Sequence, residues 1–400
     1  MFHENLSTSD RTLMLQNIRT GFVKFKVPKL THTAQCASAA LMLGLCLQIL
    51  SGISVAVNYE PSATLAFHCL NRTARLHKFG WLPRVCHHIG ASLTFGAMYA
   101  HLFKNVYCRS YSFGRESTWI VGTLSFVLIM ITGFFGSVLP WGQISYWAGV
   151  VASNFVEVVP CIGKYLKTIL LGGSNVSDAT IKRFFVFHCI LPFVVMALIA
   201  LHIRLVHTKG QLYYSKCKLP VKRVYVSIHP TYTIKTARVC LLYLLILFSL
   251  CTLAPEAFSN KTNYYPANYL ATPSNVKPEW YFMPFFAMLK TFDSKSMGVL
   301  CVISSFILLM TLPFVYKSIP FWQSVETYRT SVSIVSLCLT CLALLGELNR
   351  TNWTVLASKV CICSYWAFSL WPLSIPFLKT IGNLLLELIN MIANNVNKSL

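Results

Sequence analysis

RVCHHIGASLTFGAMYAHLFKNV, residues 84–106, and IKRFFVFHCILPFVVMALIALHIRL, residues 181–205, decide how this chain folds. Each stretch is long and apolar enough to cross a bilayer as a helix, which takes about 20 residues. Each also carries histidines, and an ionisable group inside a membrane span points to function. The first holds His87, His88 and His101, and the second holds His188 and His202. From His87 to His101, and again from His188 to His202, the interval is 14 residues. At 100° per residue, 14 steps bring a side chain to about 40° from its starting direction and about 21 Å along the axis. Each helix therefore presents two imidazoles on one face, at two levels. His88 is out of step by one residue and turns away from His101.

Two such helices side by side give two bis-histidine sites, one above the other. Porphyrin iron with two axial imidazoles is an electron carrier with no open position. Satisfied core histidines would explain one such residue but not two equal intervals in separate spans. Two other classes share membrane histidines. One is a dihaem transmembrane reductase with a flavin domain, but the chain has no Gly-rich dinucleotide fingerprint. The other is a transporter relaying protons, which an absorption spectrum without haem bands would reveal.

Six further apolar runs, roughly 34–57, 119–139, 238–256, 298–316, 330–348 and 355–376, bring the expected spans to eight. Composition agrees: of 400 residues, 55% are hydrophobic and 12% charged, where a soluble domain carries roughly 25% charge. Runs this long in lipid imply helices, so the expected class is an all-α membrane protein. The net charge of +22 is read as membrane topology and anionic-lipid contacts, not nucleic-acid binding. Up to the sixth expected span, sixteen Lys and Arg fall on one side and twelve on the other, which puts both termini on the inner side. The connections 140–180 and 257–297 are too long for turns and by parity share the outer side, so function is expected to concentrate there. Fifteen cysteines are scattered through apolar runs without framework spacing, as buried thiols are. Cys338 and Cys341 form a CxxC, but Leu342 follows in place of the histidine of a c-type haem signature. No cleavable signal is evident in residues 1–30, and the tail from Lys379 is expected to lie on the membrane surface.

Around these histidines stand Gly122, Gly136, Pro140-Trp141-Gly142-Gln143, Arg183-Phe184-Phe185 and Pro278-Glu279-Trp280-Tyr281. Together they resemble the cytochrome b family of mitochondrial respiratory complex III, ubiquinol–cytochrome c reductase, from about residue 34 to 320. The resemblance implies an inner-side segment (1–33), a dihaem-binding four-helix bundle (34–210) and a C-terminal quinol-site region with the last four spans (211–400). It implies two b-type haems, the outer held by His87 and His188 and the inner by His101 and His202. Arg84 and Lys104 resemble the propionate partners, and Gly52, Gly122 and Gly136 the glycines against which the haems lie. An outer quinol site would involve Glu279 as proton acceptor, Tyr281, Phe134 and Ala148. An inner quinone site would use His207 and Lys235, with the His229-Pro230 segment. Implied partners are a Rieske iron–sulfur protein, cytochrome c1, further complex III subunits, a second copy of the chain and anionic lipids such as cardiolipin. The implied location is the mitochondrial inner membrane.

The chain departs from the family at several of these positions. Ser38 stands where a fourth glycine is usual, and Lys104 replaces an arginine, which loses the bidentate fork. Ser137 and Phe286 replace tyrosines near the outer site. Thr236 replaces an aspartate near the inner one, removing a carboxyl that would supply protons there. Ala148-Gly149 reverses the usual order of those two residues. Cys36 falls where plastid relatives attach an extra haem, and here a buried spare thiol is the expected reading.

Overall fold

A computed structural model describes residues 26–28, 33–112, 114–208, 225–315 and 325–370. Among the described residues the regular structure is helical apart from a ribbon of two three-residue strands, β1 (Lys26–Pro28) and β2 (Tyr225–Ser227), paired antiparallel with Val27 opposite Val226. The long helices are α1 (Thr33–Ala56), α3 (Trp81–Tyr107), α4 (Glu116–Val138), α7 (Asp178–Thr208), α8 (Thr233–Leu253), α10 (Lys295–Val315), α11 (Val325–Glu347) and α12 (Asn352–Leu370). Shorter helices lie between them: α2 (Ala66–Leu76), α5 (Gln143–Val156), α6 (Gly163–Leu171) and α9 (Met283–Thr291).

Among the described residues, seven helices are long and apolar enough to cross a membrane. The eighth expected span is α3. It has the length, at 27 residues, but Arg84, His87, His88, His101 and Lys104 dilute its apolar character. The residues that mark α3 as functional thus weaken it as a span. The boundary expected at residue 210, the N-terminal segment up to Phe25, the tail from Lys379 and the side chain of Cys36 lie outside the described residues.

The chain packs into two compact, interleaved units. The first takes its described residues from Met1–Asn58, Arg72–Lys104 and Tyr213–Ser259. In it α1 runs along α8, and Ala40, Ile89, Tyr243, Leu247 and Cys251 form the core. The Thr94 and Tyr243 hydroxyls pair at 3.2 Å inside it, as buried polar groups must.

The second takes its described residues from Tyr59–Asn71, Asn105–Leu212 and Asn260–Leu400. Its main contact is between α4 and α7, and a second bundle forms where α9 packs on α10 and α11. One core centres on Phe135, Val138, Trp141, Ile181 and Phe184, the other on Ala287, Met288, Leu308 and Leu342. Phe135 and Phe184 meet with ring centroids 4.7 Å apart, one of the aromatic contacts that lock α4 against α7.

Candidate functional site

In the second unit, α7 carries His188 and His202 and α4 seats both. His188 donates from Nδ1 to the backbone carbonyl of Thr132 at 2.9 Å, and His202 donates from Nδ1 to that of Thr118 at 3.0 Å. A carbonyl only accepts, so the proton sits on Nδ1 and the Nε2 lone pair is left for a metal. The rings lie against glycines. A Cβ on Gly136 would stand 2.5 Å from Cε1 of His188, and one on Gly122 would stand 2.9 Å from Cε1 of His202. Any side chain there would displace the imidazole, so glycine is required for close approach.

In the first unit, His87 is seated by α1. Its Nδ1 lies 3.1 Å from the Ser51 hydroxyl, and a Cβ on Gly52 would stand 3.0 Å from its Cε1. His88, on the next residue of α3, turns elsewhere: its Nε2 is 3.3 Å from the Ser259 hydroxyl. His101 is half-buried, as are Arg84 near the start of α3 and Lys104 near its end. Three of the four candidate ligands thus have Nδ1 engaged by a neighbouring helix and the ring packed against a glycine. This donor set fits bis-imidazole haem ligation, in which a second hydrogen bond fixes the ring orientation.

Residues 141–147 and 263–271, from the two long connections, are joined within the second unit. Trp141 adopts φ 51° in the turn after α4, a left-handed conformation uncommon outside glycine. It is held there: its side chain is fully buried, its indole N–H donates to the Tyr269 hydroxyl at 3.2 Å, and its carbonyl accepts from Ala267. Gln143 donates to the Ala271 carbonyl at 2.6 Å and accepts from the Asn268 amide at 2.6 Å. Asn263 accepts from the Ser145 amide at 3.0 Å, and the Trp147 indole donates to the Asn268 carbonyl. Residues 141–147 and 263–271 therefore form one rigid block at the start of α5.

Pro278 to Tyr281 follows this block. Glu279 caps a single 3₁₀ turn, Trp280–Phe282, whose Phe282 amide donates to the Glu279 carbonyl at 2.9 Å. The residue keeps some exposed surface, yet protein atoms crowd its carboxyl, and that desolvation pushes it up to about 7. Tyr281 is buried beside Phe282. Phe134 packs on Phe184 with ring centroids 5.9 Å apart, and Ala148 is half-buried on α5. At the other end, His207 is exposed in the last turn of α7, and Lys235 and Thr236 are half-buried in the first turn of α8. The Thr236 hydroxyl oxygen itself is buried without a hydrogen-bond partner among the described residues.

Sequence reasoning missed Ser51 and the Thr118 and Thr132 carbonyls, which hold the imidazoles. A hydroxyl beside the seat glycine was a readable signal for the first, whereas backbone acceptors leave none. Asn263 was missed too, since one loop asparagine looks like any other.

Multiple long apolar helices with Nε2-presenting imidazoles define an integral membrane protein of the haem-binding class. Comparisons with known proteins narrow it. Residues 22–210 match the family model "Cytochrome b/b6/petB", and residues 266–366 match "Cytochrome b(C-terminal)/b6/petD". A cytochrome b of Rickettsia conorii is 36% identical over 74% of this chain and 75% of its own length. That of Cyanidium caldarium is 36% identical over 76% of this chain and 78% of its own. A solved structure titled "Hyperthermophilic respiratory Complex III" superposes with a TM-score of 0.83 at 27% identity, covering 92% of this chain and 98% of that one. The chain belongs to the cytochrome b family, as a member of the bc1 type. It is thus a multi-pass membrane electron-transfer subunit of a family that binds haem and forms the core of quinol–cytochrome c reductases.

Proposed function

We propose that this chain oxidises ubiquinol at an outer site and reduces quinone at an inner one, as the catalytic membrane subunit of a ubiquinol–cytochrome c reductase. The observation that supports this best is the pair of seats on α4, each joining a glycine gap to an Nδ1 acceptor, facing histidines 14 residues apart. His87 with His188 and His101 with His202 would hold two b-type haems; this pairing rests on the equal intervals and on family membership. Bound there, the haems supply one-electron transfer from the outer side to the inner. The other electron of each quinol goes to a Rieske iron–sulfur partner. The remaining proposed partners are cytochrome c1, further subunits, a second copy of the chain and anionic lipids such as cardiolipin. The proposed setting is the mitochondrial inner membrane.

The chain's own residues handle protons. Quinol oxidation releases two, and Glu279 accepts one. An acceptor must start ionised, and burial pushes the Glu279 carboxyl up to about 7. Quinol oxidation should therefore rise with pH through about 7 and level off above it. Glu279→Gln should slow turnover and abolish that limb while both haem spectra stay intact. Turnover unchanged from pH 6 to 9 would remove Glu279 from the proton path. At the inner site the hydroxyl of Thr236 has no acidic proton to give, so His207 is the group proposed to handle protons there, with Lys235 as a quinone-binding residue.

A further inference from the structure

The motif that carries Glu279 is seated on the far end of α11. Lys277, just before Pro278, donates to the carbonyl of Glu347 at 2.5 Å and to its carboxylate at 2.9 Å. Lys290, in the last turn of α9, donates to the carbonyls of Gly346 at 2.8 Å and Leu348 at 2.6 Å. The last carbonyls of a helix have no amide partners of their own, and cations there also meet the negative end of its dipole. Two lysines, one on each flank of the motif, thus cap the same helix end. The start of α9, two residues beyond the motif, touches that end directly, since a Cβ on Gly346 would lie 2.8 Å from the Met283 carbonyl oxygen. The Glu347 carboxylate is mostly exposed, so its ion pair contributes little. The seat rests on the carbonyls.

We propose that Lys277 and Lys290 are positioning residues for quinol oxidation: by capping α11 they fix the backbone from Pro278 to Met283, and with it the place where the Glu279 carboxyl stands. This rests on the reading of Glu279 as proton acceptor. Misplacing a reacting group by a fraction of its contact distance slows a reaction by an order of magnitude or more. The arrangement is a joint product of the loop and of α11, a span beyond the residue-320 limit of the resemblance expected from sequence but within the family match that runs to residue 366.

The test compares Lys277→Met, Lys277→Arg, Glu279→Gln and the Lys277→Met, Glu279→Gln double variant in the assembled complex. Quinol kcat and KM are measured, with haem spectra as the control for folding and hydrogen exchange of amides 279–283 as a structural readout. Lys277→Met should speed that exchange and cut turnover about tenfold with both haem spectra unchanged. Lys277→Arg should restore most of the activity. In the double variant Lys277→Met should add less than about twofold to the Glu279→Gln defect, because it acts through the same carboxyl. Full additivity, or normal turnover of Lys277→Met, overturns the proposal. Slow Lys277→Met beside fast Glu279→Gln keeps the seat and removes the proton acceptor; the reverse removes the seat alone. If Lys277→Met does not assemble, Gly346→Ala strains the same contact without a charge change and carries the same readouts.

Discussion

Helices α4 and α1 both seat histidines, and they do it differently. On α4 the arrangement is duplicated: Gly122 and Gly136 are 14 residues apart, as are Thr118 and Thr132, and each carbonyl lies four residues before its glycine. On α1 the seat of His87 has Gly52 with the Ser51 hydroxyl against Nδ1, and the position 14 residues earlier is Ser38, not glycine. The spacing matches that of the histidines because one helical period generates both. What differs is how tightly each seat is built. The gap at Gly136 is the smaller, with 2.5 Å to the ring against 3.0 Å at Gly52.

The largest expected effects come from the ligands themselves. His87→Ala should lose one haem, while His88→Ala should retain both, because His88 turns to Ser259 and not to the Gly52 seat. The haem-to-protein ratio of the two purified variants checks this. If His88→Ala alone lost a haem, the α1 seat would be assigned to the wrong residue.

Next come the glycines. Gly136→Ala should weaken haem retention more than Gly52→Ala, with overpacking costing about 1–3 kcal/mol and the α1 variant at the low end. Equal losses in a haem-release assay would show that the two gaps are functionally alike. Smaller still is Ser51→Ala, which should leave the haem bound and weaken its retention by about fivefold, a single hydrogen bond of roughly 1 kcal/mol. A change as large as that from His87→Ala would mean that Ser51 is indispensable to the seat.

The mildest effect is expected outside both seats. A methyl at residue 148 should confer resistance to rigid methoxyacrylate-type inhibitors of the outer site, and Ala148→Gly should sensitise the complex with quinol turnover unchanged. Gly149 faces the core, its Cβ position 3.5 Å from Val138 and 3.9 Å from Val176. It therefore does not replace the missing gap on the exposed side. Inhibitor titration of the native complex and the variant measures the difference, and equal sensitivity would sink the idea.

Much of this was legible in the sequence because bilayer spans and a 14-residue interval are written in residue type and position. The expected spans fall within a few residues of α1, α3, α4, α7, α8, α10 and α11. The count of eight was harder to recover, since functional residues lower the apolarity of α3. The seat glycines were readable through family resemblance. The acceptors were not: a backbone carbonyl has the same chemistry at every position, and only the packing of α7 on α4 selects Thr118 and Thr132. Nor could the sequence show that Lys277 and Lys290 converge on residues 346–348, contacts that join residues 56 to 70 positions apart.

Those two carbonyls have one more consequence. In a helix the carbonyl of residue i also serves the amide of residue i+4, here Gly122 and Gly136. No side chain takes part in holding His188 or His202 by Nδ1, so no single-codon change at residue 118 or 132 can delete the acceptor. The tautomer on α7 is therefore inherited with the helix itself. His87 rests instead on one side-chain hydroxyl, which a single codon change at residue 51 removes.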